Sequence, residues 1–168
     1  LGRDWVPTHL VWSGFDPFIT LGIASANTFR SLSASRALGQ AFGTAPETQA
    51  ANPTLRVSNA VEYFLPSGLG GVYGALIVTA REGGTTAAGF TKGKGFRLGW
   101  SGGGLNIAAA QFITENATGN KRFKDQVLGT SYDFGVAKLD VAQRRCNFGP
   151  DRTVNTQFGV VIPAGAGA

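Results

Sequence analysis

Residues 63–80 read YFLPSGLGGVYGALIVTA and contain two apolar runs, residues 63–65 and 72–80. A segment rich in proline and glycine, residues 66–71, separates the runs, which predicts two antiparallel strands joined by a turn. The second run is almost wholly apolar. A strand of a water-soluble antiparallel sheet would alternate between an apolar and a polar face. The stretch therefore indicates a sheet that does not simply pack one face on a core and expose the other face to water.

Segments with strand character recur along the whole chain, and helical periodicity is weak. Glycine accounts for 25 of 168 residues, which disfavours long helices. We predict strands at residues 3–12, 56–65, 70–80, 94–101, 105–114, 124–133, 136–146 and 153–162. Long connections are predicted at 13–55, 82–93, 115–123 and 147–152, with short turns between them. Alternating short and long connections are typical of a meander of antiparallel hairpins.

Several predicted strands have one apolar face and one polar face that carries full charges. Phe96, Leu98 and Trp100 share one face of their strand, and Arg97 lies on the other. Tilted strands of about ten residues have the length that crosses a bilayer. Aromatic residues near strand ends match the interfacial girdles of membrane barrels; they are Trp5, Trp12, Tyr63, Phe64, Trp100, Tyr132, Phe134 and Phe148. A soluble all-β domain shows the same alternation, so both interpretations stay open on the pattern alone.

The composition excludes several other classes. Charged residues are 15% and hydrophobic residues 43%, whereas disordered chains combine high charge with low hydrophobicity. No apolar run approaches the length of a transmembrane helix. The net charge of +5 suggests anionic partners, but the basic residues are too scattered to favour a nucleic-acid interface. Cys146 and His9 are each the only residue of their type, so we expect no metal site, no cofactor and no enzymatic activity.

Five segments resemble the general porins of Gram-negative bacteria, the neisserial and burkholderial type above all. They read LGRDWVP…SGFDPF, RVSNAVEYFLPSGLGGVYG, GFRLGWSGGGLNIAAA and LGTSYDFGVAKL. The resemblance implies an integral outer-membrane β-barrel of sixteen antiparallel strands, assembled as a homotrimer and filled with water. It would pass small hydrophilic solutes passively. The eight predicted strands make half of such a barrel, so we expect residues 1–168 to be the central portion of a longer porin. A closed eight-stranded barrel and an artificial fragment are the alternatives.

The resemblance also implies a constriction loop. In this family the segment after DPF folds into the lumen and narrows it, which would place residues 13–55 there. Its charges are Asp16, Arg30, Arg36 and Glu47, and Arg3 and Arg56 match basic positions of the wall. Lumen arginines favour anions, so we expect a modest anion preference. Each arginine could instead be an exposed loop charge or an ion-pair partner, and Asp16 equally fits a turn cap before Pro17.

Two further groups of charges complete the expected site. On the polar strand face, Arg144 and four other residues would line the lumen wall, namely Glu62, Arg97, Lys138 and Asp140. In a predicted extracellular loop, Lys121, Arg122 and Lys124 would contact the phosphates of lipopolysaccharide. Val72, Leu76 and Val78 would face lipid or a neighbouring subunit. The rival functions are a non-channel outer-membrane barrel, acting as an adhesin or structural anchor, and a soluble ligand-binding β-sandwich.

Overall fold

The computed structural model describes residues 2–18, 54–80, 90–116 and 122–163. The elements within these ranges are β1 (Gly2–Trp5), α1 (Pro7–Gly14), β2 (Arg56–Phe64), β3 (Val72–Thr79), β4 (Phe90–Gly102), β5 (Leu105–Asn116), β6 (Arg122–Asp133), β7 (Lys138–Phe148) and β8 (Asp151–Val161). The strands form one antiparallel sheet in the order β1 to β8, so each strand pairs with its sequence neighbour. Among the described strands, β1 and β8 do not pair with each other, and the sheet is open rather than a closed eight-stranded barrel.

Seven of the eight predicted strands are present as strands, with ends displaced by a few residues. The long connection predicted at 147–152 is wrong, because only Gly149 and Pro150 separate β7 from β8. Gly149 has a φ of 57°, a left-handed conformation that glycine adopts without steric cost. That conformation allows Phe148 and Asp151 to pair directly across a tight turn.

The strand predicted at 3–12 is also wrong. It ends at Trp5, and the eight-residue helix α1 begins at Pro7. Proline has no N–H for a strand ladder, while its fixed φ suits the first turn of a helix. The Val6 carbonyl then accepts helical hydrogen bonds from the N–H groups of His9 and Leu10. His9 therefore lies in a helix rather than mid-strand, and the long connection begins after Gly14 instead of at Ser13.

The face of the sheet that carries α1 has small residues where the helix lies. Gly99, Ala108, Gly129 and Ala142 are successive register partners across β4 to β7, and we call them the small-residue row. Three large side chains pack against this part of the sheet in one buried cluster, namely Val11, Trp12 and Phe15. Small side chains let the helix approach the sheet closely. We call residues 7–18 the inner segment, and the face that it covers the inner face.

Close contact between the inner segment and the sheet depends on glycine at two positions. A Cβ atom at Gly129 would lie 2.1 Å from the ring of Phe15, and one at Gly159 would lie 2.3 Å from Pro17. Neither distance is sterically possible without movement. The glycines of β6 and β8 therefore make room for the residues that follow α1.

The opposite, outer face of the sheet is apolar and uncovered. Leu76 is 57% exposed, Leu98 is 52% exposed and Phe158 is 70% exposed. In β3, Leu76 and Val78 point outward, whereas Ala75 and Ile77 are buried on the inner face. This arrangement explains the apolar run at 72–80, because both faces of that strand meet apolar surroundings.

No helix among the described residues is long and apolar enough to cross a bilayer.

Candidate functional site

A buried carboxylate on β6 connects the inner segment to the sheet. The side chain of Asp125 is 1% exposed, and it accepts a hydrogen bond from the Thr8 hydroxyl of α1 at 2.6 Å. The Arg144 side chain on β7 donates to both carboxylate oxygens, its Nε–Oδ1 distance being 2.9 Å. The Cys146 thiol lies 3.5 Å from the same carboxylate. We call Thr8, Asp125, Arg144 and Cys146 the Asp125 cluster.

The Asp125 cluster also contacts the end of the long connection that leads from α1 to β2. Arg144 Nη2 lies 3.4 Å from the Thr54 carbonyl oxygen, two residues before β2 begins. Thr8 belongs to the helix that precedes the connection, and Thr54 lies at the end of the connection, so that helix and that end meet at one buried ion pair. A charged hydrogen bond is stronger than a neutral one, and the low dielectric of a buried site strengthens it further. The cluster thus fixes where the connection leaves and rejoins the sheet.

Two more hydrogen bonds hold α1 in place, one near its end and one at its start. Gln157 Nε2 of β8 donates to the Trp12 carbonyl at 3.0 Å, near the end of α1. The Val6 N–H donates to the Leu55 carbonyl, also at 3.0 Å, which joins the start of α1 to the approach to β2. Together with the Asp125 cluster, these contacts attach the inner segment to β2, β6, β7 and β8.

An arginine and two aromatic rings form a column beside the start of α1. The Arg56 guanidinium carbon lies 3.8 Å from the centroid of the Trp5 ring, a cation–π distance. On α1, the ring of His9 stacks on Trp5 with centroids 4.7 Å apart and planes 20° apart. Arg56 is exposed and His9 is buried. The column therefore presents a positive charge at the surface on a rigid aromatic support.

Other charges of the inner face lie on the strands themselves. Glu62 of β2 has Asp4 of β1 and Arg97 of β4 as charged neighbours. Lys138 and Asp140 of β7 form an ion pair at 3.0 Å, in which the carboxylate side is buried. The opposite charges of Lys138 and Asp140 largely cancel at a distance, so this pair adds little net field.

The predicted site residues fall into four groups. Arg3, Arg56, Glu62, Arg97, Lys138 and Asp140 lie on β1, β2, β4 and β7. Asp16 is buried, and its Oδ1 accepts a hydrogen bond from the Phe18 N–H at 3.0 Å, the geometry of the turn cap. Outside the described residues are Arg30, Arg36, Glu47 and Lys121. Arg122 lies in β6 rather than in a loop, because that strand begins two residues earlier than predicted, and Lys124 lies in the same strand.

Sequence reasoning missed Asp125, Thr8 and Gln157. One signal was present: in β6, Asp125 alternates in phase with Phe123 and Val127, which are both buried. A carboxylate at an apolar position of a strand requires a buried partner. The partner, Arg144, lies 19 residues away along the chain, and only the pairing of β6 with β7 brings the two together.

A family model of Gram-negative porins matches residues 1–168. The chain belongs to the Gram-negative porin family. The solved structure of OmpF from Salmonella typhi, in a complex with daunomycin, is similar with a TM-score of 0.58 and 15% identity. The alignment covers 95% of this chain and 48% of that chain, so this porin spans about half the length of OmpF. That identity indicates a shared fold only. No curated protein sequence matches the chain.

Family and fold together confirm the predicted antiparallel porin-type barrel architecture and place this porin in the outer membrane as an integral protein. In a transmembrane barrel the outward face is apolar and the inward face lines the interior. The exposed apolar face with Leu76 and Leu98 is therefore the lipid side, and the inner segment lies on the interior side. The neisserial and burkholderial subtype stays a prediction.

Proposed function

We propose that this porin forms a water-filled channel through which small hydrophilic solutes and ions diffuse passively. The observation that carries the proposal is the Asp125 cluster, which ties the helix before the long connection and the end of that connection to the interior wall. A connection held at both ends on that side would narrow the channel between its residues and the facing wall. The process includes no covalent step, and needs no cofactor or metal.

The proposed channel prefers anions modestly. Arg56 is exposed and supported on Trp5, so its charge remains available to solutes. Arg144 and Lys138 each pair with a buried carboxylate and contribute little. Arg3 of the wall would act with Arg30 and Arg36 of the connection, against Asp16, Glu47 and Glu62. An excess of positive charge in a narrow wet passage raises the local anion concentration.

Planar-bilayer recording tests both parts of the proposal. Stepwise conductance is expected, and its absence would favour an adhesin, a structural anchor or a soluble ligand-binding protein. In a salt gradient, the reversal potential should indicate anion preference, and Arg56→Ala should shift it toward cations whereas Arg56→Lys should not. Lys92→Ala is the matched control, because Lys92 pairs with Glu115 at 3.5 Å away from the interior. A cation-selective wild-type channel would contradict the anion preference.

We further propose a homotrimer in which part of the apolar outer face, including Val72, Leu76 and Val78, contacts a neighbouring subunit or lipid. The molecular mass of the detergent-solubilised protein tests this assembly. Lipopolysaccharide is the proposed second partner, with its phosphates near Lys121, Arg122 and Lys124. The outer face of β6 supports that placement, because Arg122 and Lys124 both lie there.

A further inference from the structure

Phe64 lies at the end of β2, where the aromatic girdles of barrels occur, but its ring faces the interior. Its register partner is Ala75, which is buried on the inner face, so Phe64 lies on that face too. The ring is 52% exposed. A half-exposed aromatic ring on the wall of a wet passage offers its surface to the apolar part of a solute.

A guanidinium lies beside this ring. Arg97 of β4 and Phe64 of β2 flank Ala75 of β3, whose side chain is a single methyl group, so the two longer side chains meet above it. The Arg97 Cζ atom lies 5.9 Å from the centroid of the Phe64 ring, at the outer limit of a cation–π contact. Arg97 is half-buried, its Nε donates no hydrogen bond to any described residue, and no described carboxylate forms an ion pair with it. The guanidinium therefore retains unused donors.

A tyrosine next to Arg97 connects this pair to the inner segment. Tyr73 lies on Gly99, where a Cβ atom would be 2.3 Å from its ring, and its hydroxyl donates to Asn106 Oδ1 at 2.7 Å. The ring also packs against the buried cluster of the inner segment. We call Phe64, Tyr73 and Arg97 the aromatic–arginine patch. It lies beside the inner segment, on the wall that borders the proposed channel.

A buried carboxylate lies close to the aromatic–arginine patch. Glu62 of β2 has Asp4 and Arg97 as charged neighbours, and both of its carboxylate oxygens are buried. A solute can thus reach the ring and the guanidinium, but not the Glu62 oxygens. The charge of Glu62 still acts through space on an anion at Arg97 and weakens its binding. Weak binding suits a channel, because a solute that enters must also leave.

We propose that the aromatic–arginine patch binds aromatic carboxylates on their way through the channel. The carboxylate of the solute contacts the Arg97 guanidinium, and its ring lies against Phe64 and the edge of Tyr73. Each half of the patch is unselective by itself, since the cation attracts any small anion and the ring any apolar group. Only a solute that carries both groups uses both halves. The proposal assigns a solute class to the channel and rests on the proposed function for transport, though not for binding.

Ligand-observed NMR titration of the intact porin in detergent tests the site without reference to transport, with empty micelles as the background. Benzoate should bind about tenfold more tightly than acetate, which lacks the ring, and than benzamide, which lacks the charge. Phe64→Ala should reduce the benzoate affinity about tenfold and so remove the difference from acetate. Arg97→Gln should weaken the binding of both anions.

Phe158→Ala is the matched control, because it removes a ring that is 70% exposed on the outer face. It should bind benzoate like the wild type. Glu62→Gln should raise the benzoate affinity about threefold, since it removes the opposing charge. Equal benzoate affinities of wild type and Phe64→Ala would overturn the proposal, as would equal affinities of the wild type for benzoate and acetate.

Planar-bilayer recording separates the site from the channel. Benzoate should reduce the potassium chloride conductance of the wild type in a saturable manner, and higher concentrations should be needed for Phe64→Ala. A porin that binds benzoate in detergent but conducts no ions would contradict the proposed channel and support the site. A porin that conducts ions but binds benzoate no better than acetate would contradict the site alone.

Discussion

At the scale of single residues, Asp125 is a buried carboxylate whose charge the fold must compensate. A carboxylate that is 1% exposed has lost its hydration, and only Arg144, Thr8 and Cys146 replace it. Arg144 is buried as well, so each charge depends on the other. Removing one partner of such a pair leaves an uncompensated buried charge, whereas removing both leaves none.

Asp125→Leu is therefore expected to destabilise the porin by about 3–5 kcal/mol, and adding Arg144→Leu should recover much of that loss. Thr8→Val removes one hydrogen bond to the carboxylate and should cost about 2 kcal/mol. Urea unfolding from phospholipid vesicles measures all three changes. If the double variant is less stable than Asp125→Leu alone, an uncompensated buried charge is not the cause of the loss of stability.

The sequence predicts these residues unevenly. Arg144 was placed on the charged, inward strand face from simple alternation, and the structure puts it there. Asp125 was missed, because the residues that stabilise it come from α1 and β7. Pairing between distant segments depends on the register of the sheet, which no local pattern records. The Arg56–Trp5–His9 column was invisible for the same reason.

At the scale of elements, the strands were predicted well because strand length and alternation are local properties. The helix α1 was missed. Eight residues are too few to show a helical period, and helices this short obtain their stability from packing. Its packing surface is the small-residue row, which no local pattern distinguishes from other glycines and alanines of the strands. Pro7 was the one local sign that the strand had ended.

Gly129→Leu is expected to displace the inner segment. A side chain at this position would overlap the ring of Phe15, and moving that ring away from the wall pushes the segment into the channel. Overpacking of this kind usually costs about 1–3 kcal/mol. Single-channel conductance should fall. Thr130→Leu adds similar bulk to the outer face of the same strand, and it should leave the conductance unchanged. If both variants conduct like wild type, the inner segment does not border the channel.

At the scale of the whole molecule, the apolar surface is on the outside and the polar contacts are inside. The alternation of β4 and β6 predicted two such faces, but it could not say which one met water, because a soluble sandwich alternates in the same way. The family relationship decides that question. The charges at positions 30, 36 and 47 lie outside the described residues, so their role in the constriction stays a prediction.

Charged substitutions distinguish the two faces. Leu98→Arg puts a guanidinium on the lipid side and should destabilise the porin in vesicles by about 2–4 kcal/mol if Leu98 lies near the bilayer centre. Ser101→Arg puts the same group on the inward face of the same strand, and its effect should be small. Both are measured by urea unfolding in vesicles of one lipid composition. Equal costs at the two positions would contradict the assignment of the faces.

The order of the strands also determines how the porin can assemble. Each strand pairs with the one before it, so the wall can grow by adding one hairpin after another, with contacts that are close in sequence. The inner segment differs, because Thr8 contacts a residue 117 positions later and the Trp12 carbonyl contacts one 145 positions later. Those contacts cannot form until β6 and β8 are in place. The inner segment can therefore dock fully only on a wall that already includes β6 and β8.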